Sequence, residues 1–193
     1  MISGLALAPD VHAVIADERA VFLDVRKDRY FKLGISQTEL LALGASPARE
    51  NLVSQLIRRG LLRGCGDTGD DRTRAVRGKT LTRHQGSNVF GVVGACQWAA
   101  ATLRSRRLED IVKWARGVRI TDRNADRALA SRFLARRPFY PRDYNCLFDS
   151  LALTRFLRLR GVAGDWVFGV RGAPFAAHCW VEMEGEPVND EAG

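Results

Sequence analysis

Three residues in the last quarter of the chain have side chains whose types and order suit nucleophilic catalysis: Cys146, His178 and Asp190. A cysteine thiolate attacks carbonyl carbon, a histidine takes and returns the proton, and a carboxylate holds the imidazole in the productive tautomer. The three residues are therefore a candidate triad for hydrolysis or transfer at a carbonyl group.

The residues around Cys146 predict a helix that begins there. Asn145 can cap this helix, with Cys146 at its first position. The free amides and the dipole at a helix start favour negative charge, which favours the thiolate, and the amide of Cys146 is expected to help hold an oxyanion. The apolar residues that follow predict a mostly buried central helix, ended by Gly161.

Two short strands are predicted after this helix, at residues 166–170 and 177–183, and a turn leads into a third that ends near Asp190. Neighbouring residues on a strand point to opposite faces. If His178 faces the helix start, Cys179 is therefore expected to pack in the sheet. Asp190 on the neighbouring strand can then orient the imidazole of His178.

A helix start followed by two adjacent strands resembles the papain-like core of the transglutaminase-like superfamily. The longer segments YNCLFDSLALTRFLRLRGV, DWVFGVR, PFAAHCWVE and VND are similar to the leader peptidases of lasso-peptide biosynthesis, the B proteins. The resemblance implies a cysteine peptidase that uses Cys146, His178 and Asp190, a precursor peptide as substrate and a lasso macrocyclase as partner. It also implies ATP as the one cofactor to consider, although the sequence contains no phosphate-cradling glycine loop.

Other interpretations of these residues stay open. Most lone cysteines are small buried hydrophobes, and Asp190 could be a solvated turn residue. A zinc site of Cys146, His178 and Cys179 is disfavoured, because no cysteine pair has metal-ligand spacing and adjacent strand residues point apart. No metal is predicted. The same triad would also serve amide or acyl transfer, as in transglutaminases or arylamine acetyltransferases, and a winged-helix regulator without activity is a further alternative.

The whole chain predicts an α+β protein of two domains, since 193 residues suit one large or two small cores. Four cysteines at irregular spacing do not form a disulfide framework, which suits a reducing compartment. The sequence has no apolar run long enough to cross a bilayer and no cleavable leader, so a cytoplasmic protein without a membrane partner is expected.

The first domain is predicted to comprise residues 1–64. Three β-prone runs from Val11 predict a small antiparallel sheet, and Ser36 with Glu39 forms a capping box for a short helix. A second helix is capped by Ser46 and starts at Pro47. This winged-helix-like order resembles the recognition element of ribosomally made peptide pathways, in which the leader peptide adds a strand to the sheet.

The expected peptide-binding groove combines an exposed third strand with one face of the second helix. The same side chains could instead form the core of the domain. A DNA-binding winged helix is disfavoured, because residues 1–64 hold 9 Lys and Arg against 7 Asp and Glu, and such a balance gives little affinity for phosphate. The candidate peptide-binding residues are Tyr30, Phe31, Lys32, Leu33, Leu52, Gln55 and Leu56.

Residues 65–80 are rich in glycine and charge and predict a flexible linker. Residues 81–193 then form the predicted peptidase domain. Apolar periodicity within it indicates helices at 90–103, 108–115 and 122–136, which are expected to pack around the helix of Cys146. The basic excess lies here, with 13 Lys and Arg against 4 Asp and Glu in residues 81–142, a pattern most typical of solvated helix faces.

Overall fold

The structure is a computed structural model that describes residues 5–36, 38–39, 46–64, 89–116 and 124–190. The chain divides into two compact units, one of residues 1–74 with 170–176 and one of residues 75–169 with 177–193. Helices and several small sheets are present, so the prediction of an α+β fold is confirmed. The predicted linker at 65–80 lies outside the described residues, and the predicted domain boundaries stay predictions.

The first unit contains two small sheets. Its strands are β1 (Leu5–Leu7), β2 (Val11–Ala16), β3 (Arg19–Asp24), β4 (Arg29–Ser36) and β5 (Leu62–Gly64). The antiparallel sheet β2-β3-β4 matches the three predicted β-prone runs. Asp17 and Glu18 join β2 to β3 with φ of 47° and 61°, which is typical of the mirror-image turns that suit the strand twist. The pairing of β1 with β5 was not predicted.

Helix α1 (Pro47–Arg58) packs on this unit. Ser46 Oγ accepts a hydrogen bond from the amide of Arg49 at 3.4 Å, and Pro47 occupies the first turn, as predicted. The capping box is also present: Ser36 N donates to Glu39 Oε2 at 2.6 Å, and Glu39 N donates to Ser36 Oγ at 3.1 Å. The rest of the short helix predicted after Ser36 lies outside the described residues. The winged-helix-like arrangement of the domain stays a prediction.

The candidate peptide-binding residues differ in exposure. Leu56 lies in the core of the first unit, and Phe31, Leu33 and Leu52 pack against that core. Gln55 is exposed. The core therefore uses several of these side chains, in line with the alternative that they form the core of the domain. Their role in peptide binding stays a prediction.

Two further candidates on β4 contact residues 170–176, which belong to the same unit. Lys32 Nζ donates to the carbonyl of Gly172 at 2.5 Å. The rings of Tyr30 and Phe175 meet edge to face, with their centroids 5.7 Å apart. Tyr30 and Lys32 make these contacts through their side chains. The contacts therefore do not use the outer backbone edge of β4, which is the end strand of its sheet.

The second unit is built around one buried helix. Its helices are α2 (Val89–Ser105), α3 (Leu108–Ala115), α4 (Asn124–Arg136), which a 3₁₀ turn at Arg137–Phe139 follows, and α5 (Cys146–Arg158). Its sheet consists of β6 (Asp165–Gly172), β7 (Phe175–Met183) and β8 (Glu186–Pro187), in that order. The tip of the β6–β7 hairpin is the segment that belongs to the first unit.

Helix α5 is buried on nearly all sides, as a helix enclosed by its own domain is. Phe148, Leu153 and Phe156 are 0% exposed. On α2 the small residues Ala95, Cys96 and Ala99 are also buried in this core, and small side chains let neighbouring backbones approach closely. The predicted central helix is therefore confirmed. In the described part of the chain, no helix is long and apolar enough to cross a membrane.

Candidate active site

Cys146 occupies the first position of α5, as predicted. Asn145 precedes it with extended backbone angles, and its Oδ1 accepts a hydrogen bond from the amide of Phe148 at 3.2 Å. This bond satisfies one of the amides that a helix start leaves without a partner. Cys146 is partly exposed, unlike the buried residues further along the helix.

The backbone amides of residues 145 to 148 fall into two pairs. Asn145 N donates to Asp149 Oδ2 at 2.7 Å, and Phe148 N is the amide that Asn145 caps. Among the described residues, the amides of Cys146 and Leu147 meet no hydrogen-bond acceptor. Two free N–H groups beside a thiol are the arrangement that stabilises an oxyanion in acyl transfer.

His178 and Asp190 are brought together. His178 Nε2 lies 2.9 Å from Asp190 Oδ1, with 48% of the His178 side chain and 26% of the Asp190 side chain exposed. The segment before Asp190 is held against β7, because Val188 N donates to the carbonyl of Val181 at 2.9 Å and Asn189 Oδ1 accepts from Val181 N at 2.7 Å. The predicted contact between the two residues is present.

Cys179 lies on the buried face of β7, as the alternation predicts. It is 3% exposed, and its Sγ lies 3.5 Å from Ser150 Oγ on α5. Burial raises the pKa of Cys179 to about 12, and the neighbouring thiol of Cys146 adds to the rise. The structure thus places Cys146 beside the strand that carries His178. In the part of the chain that is described, His178 makes no hydrogen bond to Cys146.

Ser150 connects the start of α5 to the sheet. Its hydroxyl donates to the carbonyl of Cys146 at 2.6 Å and accepts from Trp166 Nε1 at 2.8 Å, while Cys179 Sγ lies on a third side. The hydroxyl is completely buried, so these partners replace water. They hold the first turn of α5 at a set distance from β6 and β7.

Trp180 stacks on His178, a contact that the sequence analysis did not identify. It lies two residues after His178 and on the same face of β7, with ring centroids 5.8 Å apart and planes inclined by 23°. Its indole covers Gly169 on β6, where a Cβ atom would lie 2.6 Å from the ring. A side chain at 169 would therefore displace the indole. The period of two along the strand was the available signal for Trp180.

Iodoacetamide at pH 8 is expected to alkylate Cys146 much faster than Cys96 or Cys179. Burial raises the pKa of Cys96 to about 11 and that of Cys179 to about 12, so both stay protonated as the pH rises through 8. About one Cys96 thiol in a thousand, and fewer for Cys179, would then be thiolate. Peptide-level mass spectrometry of the native protein measures the rates, and guanidinium-unfolded protein is the control. Equal rates in the native protein would contradict this prediction.

Metal ligation finds no support in the described residues, where no three His, Cys, Asp or Glu side chains are grouped to hold an ion. A cysteine at a helix start, and a histidine on a strand paired with a following aspartate, are residue types that cysteine hydrolases use. The sequence profile of the transglutaminase-like superfamily matches residues 90–193, a range that contains Cys146, His178 and Asp190. The chain belongs to the transglutaminase-like superfamily.

A curated relative narrows this assignment. The chain is 46% identical over 46 residues to the microcin J25-processing protein McjB of Escherichia coli, and the match covers 24% of this chain and 22% of that protein. The similarity to lasso-peptide B proteins that the motifs indicate is confirmed by this partial match. No solved structure matches the chain.

Proposed function

We propose that this protein is a cysteine peptidase that removes the leader from a ribosomally made precursor peptide, so that a partner macrocyclase can close a lasso ring. The observation that carries the proposal is the start of α5, where a capped helix presents the thiol of Cys146 beside two free amides. The His178–Asp190 hydrogen bond and the similarity to a microcin-processing protein support it.

The hydrogen bond to Asp190 defines the tautomer of His178. Because the carboxylate accepts from Nε2–H, Nδ1 carries the lone pair that takes the thiol proton of Cys146. The thiolate then attacks the scissile carbonyl, and the amides of Cys146 and Leu147 donate to the oxyanion. Return of the proton from Nδ1 to the leaving nitrogen breaks the peptide bond and leaves a thioester between Cys146 and the leader.

Hydrolysis of the thioester reuses the same groups. Nδ1 of His178 accepts a proton from water, the hydroxide attacks the thioester carbonyl, and the released Cys146 thiolate regains a proton. The products are a leader with a free carboxylate and a core peptide with a free amine. Water balances the reaction.

The proton transfer requires His178 to approach Cys146. With 48% of its side chain exposed, the imidazole has room to turn toward the start of α5. Catalytic hydrogen bonds are commonly long in the free enzyme and shorten when substrate binds. We therefore assign the formation of the Cys146–His178 pair to the substrate complex.

Leader binding is proposed for the first unit. β4 is the end strand of its three-stranded sheet, so its outer edge can accept an added peptide strand. In this proposal the exposed Gln55 of α1 contacts a side chain of that peptide, while the buried Leu56 anchors the helix in the core of the unit. A cytoplasmic location, where a precursor and a macrocyclase are available, belongs to the same proposal.

Amide transfer by the same triad is the alternative within the superfamily. Cleavage of the precursor in ¹⁸O-labelled water with an excess of a small amine is expected to give a leader that carries one ¹⁸O in its new carboxylate. Mass spectrometry of the leader separates the outcomes, because transfer would give an amine adduct without the label. The matched control is the precursor incubated with amine and no enzyme. A dominant amine adduct would replace hydrolysis by transfer as the activity.

A further inference from the structure

Arg137 is a buried cation that the proposed mechanism does not use. It starts the 3₁₀ turn after α4 and is 1% exposed. Its Nε donates to Asp149 Oδ1, its Nη1 donates to the carbonyl of Tyr140 at 3.1 Å, and its Nη2 donates to the carbonyls of Arg142 and Asp143 at 3.1 and 3.4 Å. One guanidinium therefore gathers the carbonyls of the segment that leads into α5.

Asp149 connects Arg137 to Asn145, the residue before Cys146. While Oδ1 binds Arg137, Oδ2 accepts from the amide of Asn145 at 2.7 Å. Asn145 in turn caps the amide of Phe148. A continuous chain of hydrogen bonds thus runs from Arg137 through Asp149 and Asn145 to the turn that holds Cys146.

Aromatic rings enclose the guanidinium of Arg137. Its central carbon lies 4.8 Å from the ring centre of Tyr144, 5.2 Å from that of Phe148 and 5.8 Å from that of Tyr140. These cation–π contacts orient the planar fork and keep water away from it. A buried ion pair is weak support for stability, because an apolar pair of similar volume often serves equally well. In this protein, the Arg137–Asp149 pair instead fixes the path of the backbone from residue 140 to residue 145.

We propose that the Arg137–Asp149 pair positions the nucleophile, by fixing the entry of the chain into α5 so that the Cys146 thiol and the amides of Cys146 and Leu147 converge on one carbonyl. This inference deepens the proposed function and rests on it in taking Cys146 as the nucleophile. Arg137 and Asp149 are positioning residues, since both are buried and act through Asn145.

The full-length variants Arg137→Lys and Asp149→Asn test this inference. Misplacement of a nucleophile by about 1 Å can cost about 100-fold in rate, so we expect kcat to fall about 10- to 100-fold with KM within about twofold. The value of kcat is taken per folded molecule, with the folded fraction measured by circular dichroism. Alkylation of Cys146 should slow in the same variants. Arg136→Lys is the matched control, because the Arg136 side chain binds the carbonyl of Arg132 in its own helix, and it should behave as wild type.

The double variant Arg137→Met with Asp149→Leu covers the case in which single variants do not fold. It removes both charges, so it should keep the melting temperature and still show the loss in kcat. Folded variants with wild-type kcat and wild-type alkylation would overturn the inference, and so would failure of every variant to fold, since the pair would then serve the fold itself. Failure of the proposed function would look different. Cleavage would then survive Cys146→Ala, while slower alkylation of Cys146 in Asp149→Asn would still show that the pair positions the thiol.

Discussion

Replacement of Cys146 by alanine is expected to abolish cleavage of the precursor peptide, with a loss of at least about 10³-fold in rate. The loss follows because no other group at the start of α5 can form the thioester. The measurement is single-turnover cleavage followed by mass spectrometry of the leader and core. The melting temperature of the variant should stay near that of wild type, since the side chain of Cys146 is only partly buried.

Two cysteine variants accompany this experiment, Cys179→Ala and the matched control Cys96→Ala. Cys179 contacts Ser150 at the start of α5, so its replacement also reports how far that packing matters; Cys96→Ala, which removes a buried thiol of α2 with no role in the proposed chemistry, should keep cleavage within a few-fold of wild type. His178→Ala should resemble Cys146→Ala, and Asp190→Ala should be the mildest of the three, because it acts only through His178. Wild-type cleavage by the Cys146→Ala protein would leave a non-catalytic role as the better interpretation.

The second large effect is expected from the substrate. The intact precursor should be cleaved with a kcat/KM about 10² to 10⁴ higher than a short peptide that spans only the cleavage site. A leader held by the first unit turns the encounter with Cys146 into an intramolecular one, which raises its local concentration without a new contact at the site. Initial rates at substrate concentrations far below KM measure this ratio for the full-length protein.

Two controls separate recognition from chemistry. The leader added as a separate peptide should not accelerate cleavage of the short peptide, because the covalent connection is lost. Gln55→Ala should reduce the advantage of the intact precursor, whereas Ser54→Ala, an exposed position of the same helix, should leave it unchanged. If the short peptide were cleaved as well as the precursor, the binding role assigned to residues 30–33 and 52–56 would be wrong.

The amino-acid sequence by itself was enough to predict the local interactions in this protein. The cap of Asn145 on Phe148 and the capping box of Ser36 with Glu39 each join residues three positions apart, so the residue types and their spacing were enough to predict them. The opposite orientations of His178 and Cys179 follow from the period of two along a strand, which is also a local property.

Boundaries and strand pairings were predicted less completely. α2 runs from Val89 to Ser105 rather than from 90 to 103, because helix ends depend on packing as well as on propensity. β1 and β5 are three residues each, too short to show a period, and they pair across more than fifty residues of sequence. Pairing at that distance is decided by the core that the strands share, of which Leu62 and Leu56 are part.

Tertiary structure alone decided which polar residues organise the site. The types of Arg137 and Asp149 are those of ordinary surface charges, and their sequence separation of 12 matches no local motif; only the burial of both beside Tyr140 and Phe148 makes them a pair. The same holds for Leu56, which an amphipathic helix could present to a ligand or to its own core until the sheet covers it. Burial is the sum of contacts from distant segments, and for that reason the spacing of residues along one segment does not reveal it.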